Sequence, residues 1–277
     1  MLCNFFYGQL EREHLAGLVD PTRTLMMRMV DDFIVISSDR TQVVDVLEYM
    51  HRGVAEYGCE LNKAKTMVNF EATICGERIG QAETAKFPWC GLVFDECTLD
   101  VSADYSRLAQ AGMQNMGIGA KSAQATGCVL SHKVSVAVRL KMHKLYMDCS
   151  LNSMGTVLVN LYQNFLVCGK KMHAICQQLP ASSKGDDVLV KVVWDVVSLG
   201  YMLLRTRCGD NAIPPADVTW LGLTAFYKAF QRKQARYTRL LARLNSALSL
   251  PKFSRMARRH ADVVNSPDNE VVLSIVY

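Results

Sequence analysis

The chain has 277 residues, half of them hydrophobic, and a formal net charge of +5 at neutral pH. A chain of this length and hydrophobic content buries the core of one or two compact domains, which excludes an intrinsically disordered protein. The modest positive charge suits a partner with a phosphate backbone, but many ordinary proteins share it, so it indicates no function alone.

The ten cysteines are scattered along the chain, and none lies at the spacing of a CxxC pair or of a Cys/His zinc site. Most lie in or beside apolar stretches. We therefore predict reduced, mostly buried thiols of an intracellular protein. The longest apolar run, residues 188–204, contains Lys191 and Asp195, which favours a buried helix over a membrane span.

The first hundred residues combine short apolar runs with one helical pattern. Apolar residues recur at helical spacing in one segment and form short runs bounded by polar turns in the others. The predicted elements are a helix end at residues 1–18, strands at 25–29 and 33–36, a helix at 41–54, and strands at 65–70 and 89–94. This order indicates a small layer of strands and helices.

Beyond Asp104 the segments become long and helical, and the loops between them carry proline and glycine. Helices are predicted at residues 105–116, 132–149, 156–178, 187–207, 217–233 and 237–248. We place the domain boundary near Asp100, which divides the chain into residues 1–100 and 101–277. The tail, residues 265–277, combines a polar turn with the β-rich run VVLSIVY, and no element is assigned to it.

The most distinctive motif is the pair Asp31-Asp32 between two apolar runs, in the sequence RMVDDFIVI. Adjacent carboxylates on a rigid hairpin turn supply shared oxygen ligands for two divalent ions about 3.5–4 Å apart, which activate an attacking hydroxyl and stabilise a leaving phosphate. Magnesium prefers such ligands. A simple polar turn explains the pair equally well, so the motif alone does not decide between the two.

Two further motifs follow in order, GCELNKAKTMVNF at residues 58–70 and FPWCGLVFD at residues 87–95. Together with the VDDF hairpin, they resemble the last three palm motifs of telomerase reverse transcriptases. The resemblance continues through the helical half and covers essentially the whole chain. It is loosest at residues 71–86, 121–130, 209–217 and the tail.

The resemblance implies an α+β fold, in which the C-terminal part of a reverse-transcriptase palm precedes an all-α thumb, or C-terminal extension. It implies an RNA-directed DNA polymerase that adds telomeric repeats to chromosome 3′ ends in the nucleus by copying an RNA template with Mg²⁺. The expected partners are the telomerase RNA, the telomeric DNA primer paired with it as an RNA–DNA hybrid, and upstream domains of the same parent chain. No membrane partner is expected.

Residue by residue, the resemblance makes Asp31 a metal ligand and Asp32 its companion in the metal site. Lys65 matches a lysine beside the departing pyrophosphate, where a cation neutralises developing charge or donates a proton. A solvated lysine on a strand edge is the alternative. The residues that match the primer grip are Trp89, Cys90, Gly91 and Leu92. Gly91 permits close approach of a nucleic-acid strand, whereas Trp89 also suits core packing.

In this family, the third metal-binding aspartate lies upstream of the segment that matches residue 1. We therefore expect the 277-residue chain alone to be a fragment without polymerase activity. Two alternatives stay open: the reverse transcriptase of a mobile element, and a non-catalytic fragment that binds nucleic acid or assists assembly. Val30 and the pair Trp89-Cys90 argue against the first, because mobile elements usually carry alanine or methionine before the two aspartates and lack WCGL.

Basic residues cluster in the predicted helix 132–149 and in the loop before it. A helix that carries lysine and arginine follows phosphates without reading sequence. The candidates for nucleic-acid contact are Lys133, Arg139, Lys141 and Lys144, with Lys121 and His143 nearby. An ordinary solvated helix face is the alternative.

Overall fold

The computed structural model describes residues 2–111, 126–178, 185–208 and 213–276. The chain forms two compact units, residues 1–98 and residues 99–277. The first unit combines helices with short, mostly antiparallel strands, and the second is largely helical. The predicted α+β fold class is therefore confirmed. None of the described helices is long and apolar enough to cross a membrane.

The first unit begins with helices and then builds its strands from hairpins. Its elements in chain order are α1 (Leu2–Leu10), a π-helical turn (Glu11–Leu15), β1 (Thr24–Met29), β2 (Asp32–Ser37), α2 (Arg40–Arg52), a 3-10 turn (Lys63–Lys65), β3 (Met67–Val68), β4 (Thr73–Ile74), β5 (Glu77–Arg78), β6 (Gly80–Gln81), β7 (Lys86–Trp89) and β8 (Leu92–Asp95). Asp39 caps α2 by accepting a hydrogen bond from the Thr41 amide at 3.0 Å. Gly53 ends the helix at a φ of +78°.

Strands β1 and β2 pair antiparallel in a register that joins Thr24 to Ser37 and Met29 to Asp32. The connection is therefore a two-residue turn, Val30-Asp31. The strand–turn–strand prediction for this segment is confirmed. One core of the unit lies under α1 and is formed by Leu10, Leu15 and Val54, and a second one is formed by Val68, Ile74 and Ile79.

Two strand predictions in the first unit were wrong in extent. The segment 65–70 starts in the 3-10 turn Lys63–Lys65, and only Met67–Val68 is a strand. The segment 89–94 is the centre of a hairpin, because Cys90 and Gly91 adopt φ values of +50° and +79°. Two successive residues of positive φ form the tight turn that matches the twist of paired strands.

The second unit surrounds one buried helix. Its elements are β9 (Val101–Ala103), α3 (Ser106–Ala111), α4 (Thr126–Lys141), α5 (Lys144–Met147), α6 (Met154–Gln178), α7 (Asp186–Arg205), α8 (Pro215–Gln231), α9 (Thr238–Leu248), α10 (Met256–Arg259), α11 (Ala261–Val264) and α12 (Asn269–Ser274). Helices α4, α5, α8, α11 and α12 all pack against α6. Most residues of α6 from Val157 to Cys176 are buried, so this helix forms the centre of the unit.

Buried asparagines attach the neighbouring segments to α6 and the turn before it. Asn152 Oδ1 accepts a hydrogen bond from the Val101 amide at 2.6 Å, and its Nδ2 donates to the Leu145 carbonyl at 2.9 Å. Asn160 Nδ2 donates to the carbonyls of Val101 and Tyr146 at 2.8 and 3.1 Å. Side-chain amides thus satisfy backbone groups that the helices and strands leave open.

One prediction for the helical half needed correction, a second extends beyond the described residues, and the tail was left unassigned. The predicted helix 132–149 is interrupted after Lys141, because the His143 ring accepts a hydrogen bond from the Leu145 amide at 3.2 Å and so starts a new helix, α5. Of the predicted helix 105–116, α3 covers the described part, and residues 112–116 lie outside the described residues. The unassigned tail contains α12, where Lys170 Nζ donates to the carbonyls of Leu273 and Ile275 at 2.8 and 2.9 Å.

The cysteine prediction was also wrong in part. Cys149 and Cys208, which are 59 positions apart in sequence, form a disulfide with their Cα atoms 5.2 Å apart. This pairing joins the segments after α5 and α7, which no spacing pattern in the sequence reveals. Of the free cysteines, two are buried and four are exposed: Cys168 and Cys176 are buried, and Cys3, Cys75, Cys97 and Cys128 are exposed.

Gly200 of α7 packs against the ring of Phe165 of α6. A Cβ atom at this position would lie 2.6 Å from a ring atom of Phe165, which is fully buried. We therefore expect Gly200→Ala to lower the free energy of unfolding by about 1–3 kcal/mol through overpacking. Urea unfolding monitored by circular dichroism measures the change.

The control for this variant is Gly155→Ala near the start of α6, where an added Cβ meets nothing within 4 Å. Alanine favours the helix at such a position, so we expect no loss and a gain of up to about 1 kcal/mol. Equal stabilities of the two variants would contradict the packing described for Gly200.

Candidate functional site

The β1–β2 turn presents two exposed carboxylates. Asp31 is the second residue of the turn, and Asp32 starts β2 opposite Met29. Val30, the first residue of the turn, adopts a φ of +62°. A β-branched side chain disfavours this conformation, so the turn holds local backbone strain of about 1–3 kcal/mol. Such strain is frequently found where a chain positions functional groups.

The oxygen atoms of Asp31 and Asp32 are the hard ligands that divalent magnesium prefers. Both side chains are exposed, so their oxygen atoms are accessible to an ion from solvent. Among the described residues, no group of three or more histidine, cysteine or acidic side chains is placed to hold a metal ion. The chemistry of the two aspartates suits magnesium, and by themselves they would supply only part of its coordination. Burial, followed by the charges of Cys59 and Asp31, raises the pKa of the neighbouring Tyr7.

The third sequence motif lies directly beside this turn. Cys90 Sγ donates a hydrogen bond to Asp32 Oδ2 at 3.4 Å. The two residues are 58 positions apart in sequence, so the fold of the first unit brings the β7–β8 hairpin against the carboxylates. Two motifs that the sequence shows only in order are thus brought into contact.

The four predicted grip residues occupy the tip of the β7–β8 hairpin in different environments. Cys90 and Gly91 form the turn itself and are partly exposed. Trp89 is partly buried, and its ring centroid lies 6.4 Å from that of Phe94. Leu92 is buried, so it anchors the hairpin in the core of the unit.

Lys65 is exposed at the end of its 3-10 turn. Its neighbour Lys63 forms an ion pair with Glu77 at 2.9 Å. Within the part of the chain that the structure describes, no hydrogen bond or ion pair joins Lys65 to Asp31 or Asp32. Its assignment to the catalytic group therefore stays a prediction.

The four basic candidates of the second unit do not form one continuous face. Arg139 and Lys144 are exposed, and Lys133 is partly buried. Lys141 Nζ lies 5.5 Å from the ring centres of both Tyr105 and Tyr146, and burial lowers the pKa of Lys141. The amine of Lys141 thus packs against two tyrosine rings of its own unit and is less available for a phosphate.

The geometry of α4 separates these residues further. At about 100° per residue, Arg139 lies roughly 160° around the helix from Lys141. Lys144 belongs to the next helix, α5, and Lys121 lies outside the described residues. The exposed candidates for phosphate contact are therefore Arg139 and Lys144.

Sequence reasoning assigned no role to Arg28, which the structure places against the carboxylate turn. Its side chain is only 12% exposed and forms an ion pair with Glu11. One signal was available in the sequence, since a charged residue inside the apolar run of a strand usually requires a partner. The partner itself, 17 positions away, could not be identified from spacing.

Comparison with known proteins places these features in one family. Residues 129–245 match the family model of the telomerase reverse transcriptase C-terminal extension. The telomerase reverse transcriptase of Bos taurus is 32% identical over 265 residues, which cover 89% of this chain and 23% of that protein. The one from Oryza sativa subsp. japonica is 30% identical over 273 residues, which cover 89% of this chain and 22% of that protein. The chain thus spans about a quarter of the length of these curated relatives.

A solved structure shows a similar fold. It is the structure of telomerase from Candida albicans in complex with a TWJ fragment of telomeric RNA. It matches this chain with a TM-score of 0.57 at 14% sequence identity, over 88% of this chain and 33% of the other.

Proposed function

Because the chain belongs to the telomerase reverse transcriptase family, we propose that it forms the last part of the palm and the thumb of an RNA-directed DNA polymerase. This polymerase extends chromosome 3′ ends by copying an RNA template. The observation that carries the proposal is the β1–β2 turn, which presents Asp31 and Asp32, with Cys90 Sγ of the third motif 3.4 Å from Asp32 Oδ2. A polymerase that extends chromosome ends acts in the nucleus, so the nucleus is its proposed location.

In the proposed reaction, Asp31 and Asp32 supply carboxylate oxygens at the growing end of the primer. Bound Mg²⁺ supplies charge stabilisation for the attacking 3′ hydroxyl and the leaving pyrophosphate. Cys90 restrains Asp32 through its hydrogen bond. The tip of the β7–β8 hairpin, Trp89 to Leu92, supports the 3′ end of the primer. Lys65 supplies positive charge toward the departing pyrophosphate.

The proposed substrates are a telomeric DNA primer and the template region of an RNA partner, paired as a hybrid. The neighbour of similar fold was solved with telomeric RNA, which supports an RNA partner for this chain. The exposed Arg139 and Lys144 of the second unit suit sequence-independent contact with phosphates of that hybrid.

The test is templated primer extension by the catalytic protein that contains this chain, assembled with its RNA and given primer, deoxynucleotides and Mg²⁺. We expect products whose sequence changes when the template is changed and which disappear after ribonuclease treatment. Extension that is independent of template sequence would overturn the proposal.

We expect the double variant Arg139→Glu/Lys144→Glu to bind RNA–DNA hybrid more weakly, and equally so for unrelated sequences. Each lost phosphate contact reduces the salt dependence of affinity by about 0.9 in log–log slope for a B-form duplex, so the loss of two contacts flattens it by roughly 2. Fluorescence anisotropy at several salt concentrations measures both quantities.

The matched control reverses two exposed charges on α7, Lys191→Glu and Arg205→Glu. Because both double variants change the net charge equally, a general electrostatic effect lowers both affinities alike. Such an equal loss would remove Arg139 and Lys144 from the binding surface.

A further inference from the structure

One largely buried side chain connects three segments behind the carboxylate turn. Arg28 Nε donates to Glu11 Oε1 of the π-helical turn, and its Nη1 donates to Asn4 Oδ1 of α1 at 3.2 Å. The same Nη1 donates to the backbone carbonyl of Val30 at 2.6 Å. The guanidinium carbon lies 5.4 Å and 5.9 Å from the ring centres of Tyr7 and Phe33.

These contacts meet at the strained residue of the turn. Val30 has a φ of +62°, a conformation that a valine leaves when nothing holds it. The carbonyl of Val30 and the amide of Asp31 share one rigid peptide plane. A donor that fixes the Val30 carbonyl therefore fixes the orientation of the backbone that enters Asp31.

The chemistry of the contact requires arginine. The planar guanidinium provides several donors in a fixed fork and stacks against aromatic rings, so it reaches an acid, an amide and a carbonyl at once. A lysine carries the same charge, but its single ammonium group cannot keep this geometry.

We propose that Arg28 is a positioning residue for the metal-binding carboxylates: it holds the Val30-Asp31 peptide plane against α1 and so orients Asp31. The inference rests on the proposed function, in which Asp31 is a metal ligand. Arg28 touches neither substrate nor metal and acts through the turn.

Amide hydrogen exchange of the catalytic protein that contains this chain measures the opening of the β1–β2 turn and does not depend on catalytic activity. We expect Arg28→Gln and Arg28→Lys to speed amide exchange in residues 29–33 by at least about tenfold, since a hydrogen bond from a charged donor to the turn is lost. The control, Arg52→Gln, removes an exposed arginine that pairs with Glu48 on α2 and leaves exchange at the turn unchanged. Arg28→Lys keeps the charge and serves if Arg28→Gln fails to fold.

Primer extension gives the second readout. We expect Arg28→Lys to raise the Mg²⁺ concentration for half-maximal rate by about tenfold while the KM for primer stays the same, because a charge-assisted hydrogen bond of roughly that strength orients the ligand. A purely structural role lowers the amount of active enzyme without changing its Mg²⁺ dependence.

The two readouts separate two failures. If the wild-type protein shows no templated extension, the proposed function is overturned. The exchange rates still test whether Arg28 holds the turn. Turn exchange in both Arg28 variants equal to wild type overturns the positioning role. An unchanged Mg²⁺ dependence in an enzyme that extends primers overturns it as well.

Discussion

Replacing Asp31 by asparagine should lower the rate of templated primer extension by about 10³-fold or more in the catalytic protein that contains this chain. Asparagine keeps the size of the side chain and one oxygen atom but loses the negative charge that a divalent ion requires. The charge stabilisation by such an ion amounts to several kcal/mol of the barrier, and each 1.36 kcal/mol is a factor of ten in rate.

The exposed position of Asp31 separates an effect on catalysis from an effect on stability. Asp31 is exposed in a turn, so Asp31→Asn should leave the free energy of unfolding unchanged within about 0.5 kcal/mol. Asp45→Asn on α2 is the matched control, because Asp45 is also an exposed aspartate of the first unit. Extension assays at saturating primer should show normal rates for Asp45→Asn. Near-normal rates for Asp31→Asn would show that Asp31 is not a metal ligand.

The second prediction concerns a buried carboxylate of the helical unit and its contribution to the free energy of unfolding. Asp217 in the first turn of α8 is only 1% exposed. Its Oδ1 lies 2.9 Å from His260 Nε2 and its Oδ2 lies 3.2 Å from Arg259 Nη1. The ring of Trp220 stacks on His260 at 5.9 Å between centroids. This buried carboxylate therefore joins the start of α8 to the segment that precedes α11.

We expect Asp217→Ala to lower the free energy of unfolding by about 1–3 kcal/mol, because it leaves the buried His260 without its acceptor. Arg259, whose side chain is 59% exposed, keeps water as a partner. Thermal and urea unfolding measure the loss. Asp195→Asn on α7 serves as the control, since Asp195 is exposed and its change should stay within about 0.5 kcal/mol. If both variants are equally stable, the buried network does not hold α8 in place.

A double-mutant cycle with His260→Ala tests the pairing directly. Because the two side chains share one network, the loss in the double variant should be smaller than the sum of the two single losses. Strict additivity would indicate that Asp217 and His260 act independently.

The long helices were predictable because their apolar residues recur at the helical period. Helix α6 matches its predicted range within two residues at its start, where Met154 precedes the predicted residue 156. The β1–β2 hairpin was predictable for a similar reason, since two apolar runs flank a polar pair. Local patterns of this kind do not depend on what the segment packs against.

The elements that could not be predicted depend on contacts between distant residues. The run VVLSIVY is rich in strand-forming residues, yet most of it forms the helix α12. Val272 of this helix is fully buried, and Lys170 of α6 donates hydrogen bonds to the carbonyls of Leu273 and Ile275. The Cys90-Gly91 turn was missed because an apolar run was taken as one strand. The contact of Cys90 with Asp32 and the packing of Lys141 between two tyrosines likewise arise only in the folded chain.

The central claim is that the β1–β2 turn holds part of a divalent metal site, and direct metal binding tests it best. Mn²⁺ substitutes for Mg²⁺ at oxygen ligands. Electron paramagnetic resonance measures the concentration of free Mn²⁺, which falls as the protein binds the ion. The titration uses the catalytic protein that contains this chain, bound to primer, template and nucleotide. We expect Asp31→Asn to weaken Mn²⁺ binding by at least about tenfold, in line with the loss of one charged ligand, and Asp45→Asn to bind like wild type. Equal Mn²⁺ affinity in wild type and Asp31→Asn would contradict the claim.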